Sequence, residues 1–477
     1  MNITQEQVDQ FFSYLTPIRL KDPSRKDEDL LEAAESDRGR VINSAAFRRL
    51  QQKAQVFPLE PNASVRSRLT HSFEVSQIGR YIAQSIIKNF KSFEKINLPD
   101  YEKITAFVST VETACLLHDI GNPPFGHLGE AAIQEWFKKT TNESNQPTND
   151  ISSDEFSKLI GTDLIKFDGN PQGFRIVRLL SGNDEFGLNL TCPLLLSIVK
   201  YPHTFKTLGR NKKIGLFETC LSSYENACSK IKWPTGKPFP YMQIMDIADE
   251  IAYSMSDLED ALEKNIISKN DLLNIFKKFC DDEKLNITSI FKQNITLENF
   301  DTQTFLEFKT SIIHKAVLEV AKNYCIQLND ILSGQKVELF EEKSDVKKLL
   351  KKVKKYAIEN IYSHESAEKI ELAGRNIVQG LLKHYEILLI LPYSKFIALL
   401  EGVDANKESP RDLALDYELR LYHRLPQTHI SKYKHCCTID KENELQHRAQ
   451  LIVDYISGMT DDFALEMYQL LEGIRIQ

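Results

Sequence analysis

The stretch LLHDIGNPPFGHLGE, Leu116 to Glu130, decides how this chain is read. An apolar run meets the adjacent pair His118-Asp119, breaks at Gly121-Asn122-Pro123-Pro124, and resumes with His127 and Glu130. Upstream, Ile104, Phe107, Val108, Val111, Cys115 and His118 recur at three- and four-residue steps, the period of a helix with one apolar face. His118 therefore ends a buried stripe. Gly-Asn-Pro-Pro stops that helix, because proline lacks the amide N–H and its ring clashes with the preceding turn. A charged Asp119 beside an apolar stripe is costly unless something compensates it. His127 and Glu130 fall on one face if a new helix starts near Pro124.

The same period extends in both directions. After His71, Val75, Ile78, Ile82, Ile86 and Phe90 form one stripe. A further helix carries Ile244, Ile247, Ile251, Met255, Leu258 and Leu262 on one face, while Asp249, Tyr253 and Asp257 stack in a row at i, i+4 and i+8. Strand-like alternation is scarce, so the expected fold class is all-α, with at most a short hairpin. The polar stretch Thr140–Asp154 reads as a mobile surface insert, and helical patterning is interrupted over residues 265–300. The expected organisation is a catalytic core over residues 1–265 and a helical part over 266–477 that completes the site and supplies oligomer contacts.

Length and composition exclude some classes. A chain of 477 residues can form one elaborated helical domain, and a net charge of −7 does not favour a dedicated nucleic-acid or anionic-membrane protein. Eight cysteines follow no zinc or disulfide spacing and are read as reduced thiols of a cytoplasmic protein. The opening MNITQEQVDQFF lacks a basic start and an apolar core, so no signal peptide is expected. No run of about 18 apolar residues is present to span a membrane.

His71, His118, Asp119 and Asp249 together offer imidazole and carboxylate donors, which suit a divalent metal that offsets phosphoryl charge. Alone, any one histidine on an apolar face reads as a satisfied core residue; the set of four argues for a metal site. A histidine oriented by a carboxylate, as in His127 and Glu130, suits acid–base or nucleophilic work, though an ordinary i,i+3 pair looks the same. Arg68, three residues before His71, can face the same cavity, and guanidinium suits phosphate. Lys347–Lys355 (KKLLKKVKK) reads as a solvated basic helix face.

The ligand order resembles that of HD metal-dependent phosphohydrolases, and the wider chain is similar to the bacterial deoxyguanosine triphosphate triphosphohydrolases within them. The resemblance rests on DRGRVINSAAFRRLQQKAQVF (Asp37–Phe57), SRLTHSFEVSQIGR (Ser67–Arg80), LLHDIGNPPFGHLGE, FDGNPQGFRI (Phe167–Ile176), DIADEIAYSMSDLEDAL (Asp246–Leu262) and DYISGMTDDFAL (Asp454–Leu465). Departures are small: Ala54, Asp168, Pro171 and Glu250 stand where the family often has other residues, and none removes a ligand.

The resemblance implies an HD-domain helical fold with additional C-terminal helices, and hydrolysis of dGTP or other dNTPs to deoxynucleoside and inorganic triphosphate. It implies His71, His118, Asp119 and Asp249 as metal ligands, with Mn or Mg expected and Fe, Zn or Co admissible. His127 and Glu130 match the catalytic pair. Arg68, Asn170, Lys200, Tyr201, Tyr253 and Asp257 match triphosphate and deoxyribose contacts, Tyr253 being the expected gate against a 2′-hydroxyl. Gln55 and Val56 match residues near the sugar 3′ side and the base, and Arg448 is carried over as a further substrate contact. A homo-oligomer, a hexamer by resemblance, and single-stranded DNA are the implied partners. Two other readings compete: an HD nucleotide phosphohydrolase of broader specificity, and a non-catalytic nucleic-acid-binding HD oligomer using Lys347–Lys355.

Overall fold

The computed structural model describes residues 3–23, 28–93, 95–142, 163–182, 184–208, 213–283, 302–403 and 406–474. The fold is all-α. Among the described residues there is no β-strand, and the expected short hairpin shrinks to two isolated antiparallel bridges, Arg19 with Thr191 and Ala54 with Ser67. Of the expected surface insert, residues 143–154 lie outside the described residues, as do 284–300 of the interrupted stretch.

Two compact units are assembled from interleaved segments. The first comprises residues 1–120, 189–202 and 222–370; the second comprises 121–188, 203–221 and 371–477. The boundary expected at 265/266 falls inside the first unit.

In the first unit, helix α1 (Arg68–Lys91) opens with a capping box, in which the Ser67 side chain accepts from the Thr70 amide. Helix α2 (Tyr101–Leu117) is capped by Asp100, which accepts from the Lys103 amide at 2.8 Å. The stripe His71, Val75, Ile78, Ile82, Ile86 and Phe90 is buried along its whole length, as are Phe107, Val111 and Cys115. These faces pack α1 against α2, and both against the long helix that carries Asp249. Phe11, Phe107 and Tyr241 fill the core, with ring centroids 5.1–5.2 Å apart in edge-on pairs.

In the second unit, helix α3 (Gly126–Asn142) starts two residues later than Pro124. Phe125 and Gly126 take positive φ of 60° and 55°, so the chain must turn before the helix begins. The Phe125 amide donates to Asp461 Oδ1 at 2.9 Å, which fixes the turn. Residues Gly121–Pro124 lie against helix α4 (Gly169–Arg175) at backbone distance: a Cβ on Gly121 would sit 2.1 Å from the Gly169 carbonyl oxygen and the Gly173 nitrogen. The two glycine-rich segments singled out in the sequence are thus each other's packing partners. Helix α5 (Pro240–Glu263), back in the first unit, carries Asp249, and helix α6 (Asp345–Tyr356) packs on it.

Candidate functional site

Helix α1 supplies His71, the end of α2 supplies His118 and Asp119, and α5 supplies Asp249. One nitrogen of each histidine and one Asp249 oxygen lie within 4.8 Å of one another. His71 Nε2 and His118 Nε2 are each 3.4 Å from Asp249 Oδ1. Metal–donor bonds of about 2.1 Å at tetrahedral angles would set donors about 3.4 Å apart, so the residues present fit a divalent cation.

His118 is built for that role. Its Nδ1–H donates to the Cys115 carbonyl at 2.7 Å, which leaves Nε2 with its lone pair. His118 Nε2 is buried and has no hydrogen-bond partner. An orphaned buried acceptor aimed at a carboxylate and a second imidazole is expensive unless something binds there. Asp119 stands beside the group of three. Its Oδ2 is 3.6 Å from His118 Nε2 and accepts from Arg68 at 2.6 Å.

Charge is balanced locally. Lys200, its side chain 11% exposed, donates to Asp249 Oδ2 at 2.7 Å and lies 3.4 Å from Asp246 Oδ1. Burial works against ionising Asp249, yet Lys200 and both histidines hold its carboxyl well below the usual carboxylate range. Asp119 is held low in the same way, against burial, by His118 and Arg68. Burial also disfavours charged Lys200, but Asp249 and Asp246 push its pKa up. For His118 burial prevails and lowers the pKa, whereas for His71 the hydrogen bond and charge of Asp249 overcome burial and raise it.

Above Asp249 on α5, the Tyr362 hydroxyl bridges the Tyr253 hydroxyl and the Asp257 carboxylate. Asp257 is 1% exposed; burial pushes its carboxyl up to about 7. The Lys354 ammonium, from α6, lies 6.0 Å from the centre of the Tyr253 ring. Gln55 and Val56 follow the Ala54–Ser67 bridge, which ties their segment to the start of α1. Gln55 Oε1 is buried without a partner. Arg66 is fully committed to Glu74, Glu259 and Asp260.

The remaining candidates belong to the second unit. His127 Nδ1 is 2.9 Å from Glu130 Oε2, and its side chain is 82% exposed. The other Glu130 oxygen accepts from the Gly169 amide at 2.7 Å, so the carboxylate that orients the histidine is itself fixed by backbone. Asn170 donates its side-chain amide to Asp168 Oδ1 at 2.6 Å. Arg448 is 2% exposed, gripped by Glu444 at 2.8 and 2.6 Å and by the Leu391 carbonyl, and laid over the Phe396 ring. In this conformation its guanidinium is occupied by structural partners.

The structure thus brings Arg68, His71, His118, Asp119, Lys200, Tyr201, Asp249, Tyr253 and Asp257 into the first unit, and places His127, Glu130, Asn170 and Arg448 in the second. Sequence reading missed Asp246, Lys336 and Tyr362, and took Lys354, within Lys347–Lys355, as part of a solvated face. Asp246 had a signal, being one turn before Asp249; Lys336 and Tyr362 come from distant segments with no local mark.

Residues 68–182 match the model of the HD domain, and residues 421–470 match that of the phosphohydrolase-associated domain. The chain is 36% identical to the deoxyguanosinetriphosphate triphosphohydrolase of Enterobacter sp. (strain 638), over 94% of this chain and 96% of that protein. It is 35% identical to the protein of the same name from Salmonella typhimurium, over 94% and 95%.

Proposed function

The chain belongs to the HD-domain family of deoxyguanosinetriphosphate triphosphohydrolases, and from that premise we propose that it hydrolyses dGTP to deoxyguanosine and inorganic triphosphate. The observation that carries this reading is likeness over nearly the full length of relatives bearing that name. The convergence of His71, His118 and Asp249 supports it.

A divalent cation, Mn or Mg before Fe, Zn or Co, would be held by His71, His118, Asp119 and Asp249 and would offset the charge of the phosphoryl group. Arg68 and Lys200 now compensate Asp119 and Asp249. Where those carboxylates are compensated otherwise, both cations can turn to a polyanion. Tyr201 and Asn170 add contacts to the triphosphate. The Tyr253 ring walls the deoxyribose, while Asp257 and Gln55 offer oxygens to its hydroxyl. Val56 lies toward the base, and Arg448 can join substrate binding only by leaving its present partners. His127, oriented by Glu130, protonates the departing 5′ oxygen or attacks phosphorus.

Other dNTPs are admissible substrates. The working form is a homo-oligomer, a hexamer by resemblance, with contacts from residues after 265. Single-stranded DNA is a further partner on that basis. The proposed location is the cytoplasm, where the free thiols of Cys115, Cys192, Cys220, Cys228 and Cys325 stay reduced. Among the described residues no helix is long and apolar enough to cross a membrane.

The test is to incubate the purified protein with each dNTP, alone and mixed, with Mg or Mn. Deoxyguanosine and inorganic triphosphate in equal amounts are expected. Release of orthophosphate, or of pyrophosphate with dGMP, would overturn the reading.

A further inference from the structure

A chain of alternating charge leads away from Asp249. Asp249 Oδ2 accepts from Lys200 at 2.7 Å, Lys200 lies 3.4 Å from Asp246 Oδ1, and Asp246 Oδ2 accepts from Lys336 at 2.8 Å. Asp246 and Asp249 are one helical turn apart on α5, so both present carboxylates to the same lysine. Two acids against Lys200 alone would leave that lysine divided between them. Lys336 supplies the second cation.

Its position is not accidental. Gln243, 3% exposed and one turn before Asp246, donates to the Gln335 carbonyl at 2.9 Å and accepts from the Val337 amide at 3.1 Å. The backbone on both sides of Lys336 is thus clamped by a side chain of α5 itself. The Lys336 ammonium also lies 5.7 Å from the centre of the Tyr201 ring. One residue from a distant loop therefore meets both Asp246, the partner of Lys200, and the ring of Tyr201 itself.

We propose that Lys336 is a positioning residue for polyanion binding: by neutralising Asp246 it keeps Lys200 from being captured there and leaves that ammonium available to the triphosphate. The proposal rests on the reading of Lys200 as a triphosphate contact. Lys336 acts through Asp246 and touches no substrate. Its side chain is 52% exposed, so the effect is modest and weakens with salt.

The experiment measures competitive inhibition by inorganic triphosphate, and KM and kcat for dGTP, in the full-length protein with saturating Mn. Lys336→Met should raise Ki and KM about three- to fivefold with kcat within about twofold, the range of a half-exposed ion pair. Lys336→Arg should restore both. Asp246→Asn alone should leave Ki at or below the wild-type value, and Lys336→Met in that background should change nothing further. Equal losses with and without Asp246 would overturn the proposal, making Lys336 a direct phosphate contact. So would an unchanged Ki in Lys336→Met while Lys200→Ala raises it. If Lys200→Ala leaves Ki unchanged, the reading of Lys200 fails, and the proposal falls with it. Far-UV circular dichroism and melting of each variant separate these outcomes from misfolding.

Discussion

His118 and His127 lie on one short segment of chain, yet their surroundings are opposite. The His118 side chain is 1% exposed, and its Nδ1 is locked to the Cys115 carbonyl of its own helix. The His127 side chain is 82% exposed, and its Nδ1 is held by the Glu130 carboxylate, which Gly169 anchors in turn. A ligand must present one lone pair at a fixed place, and backbone does that without a titrating partner. A proton-transfer group must change charge during each cycle, and a carboxylate beside an accessible imidazole orients the ring and stabilises the cation when it forms. The difference teaches that one residue type can be presented for two different tasks: the proposed ligand ends a buried stripe, and the proposed proton-transfer group follows a turn at positive φ.

The sharpest way to break this contrast is at the buried end. His118→Ala or Asp249→Ala should remove most bound metal and lower turnover beyond about 100-fold, since changes even one shell further out reach that size. Metal content by mass spectrometry and dGTP turnover check this; full activity with stoichiometric metal would sink the assignment.

His127→Ala is the next largest. It should retain metal and bind dGTP but turn over at least about 100-fold more slowly. Loss of metal would move His127 among the ligands, and normal turnover would make it structural. Glu130→Gln should fall between the two proteins in rate, because the amide offers one oxygen to two donors, His127 and the Gly169 amide, and no longer stabilises the imidazolium.

Tyr253→Ala should weaken rejection of GTP by no more than a few kcal/mol, as a wall against one hydroxyl is a limited device. The ratio of kcat/KM for dGTP to that for GTP is the readout. An unchanged ratio would reduce Tyr253 to packing.

The smallest effect concerns Asp257. Burial raises its carboxyl to about 7, so the folded chain holds a proton there that the unfolded chain releases near the ordinary carboxylate value. Stability from this group is therefore fully present at low pH and is lost as pH rises toward 7. Asp257→Asn should melt at a temperature that falls less between pH 5 and 7.5, by about 1–2 °C. Parallel melting curves for the two proteins would contradict the shifted carboxyl.

Much of this was legible in the sequence where the argument is local. The stripe from His71 is helical and buried as its period requires, whereas α2 is buried on nearly all sides from Ala106 to Leu117, more than its one apolar stripe implies. The helix ends at Leu117, ahead of the Gly-Asn-Pro-Pro stretch through which no helix could continue. What was not legible depends on approach between distant segments. That α3 begins at Gly126 was set by Phe125 adopting positive φ against Asp461. That Arg448 reaches the Leu391 carbonyl and the Phe396 ring, and that Tyr362 bridges Tyr253 and Asp257, could not be read from spacing, since these partners lie far apart in the chain.

The sequence by itself determined the all-α class, the four candidate donors and the helices that carry or precede them, because side-chain period and proline geometry act within a few residues. Only the tertiary structure decided which oxygen of Asp249 faces the histidines and which faces Lys200. It alone also decided that Lys336 completes the charge balance through Asp246. Ionic and hydrogen-bond partners are chosen by proximity in space, and proximity between remote segments is fixed by how their apolar faces pack.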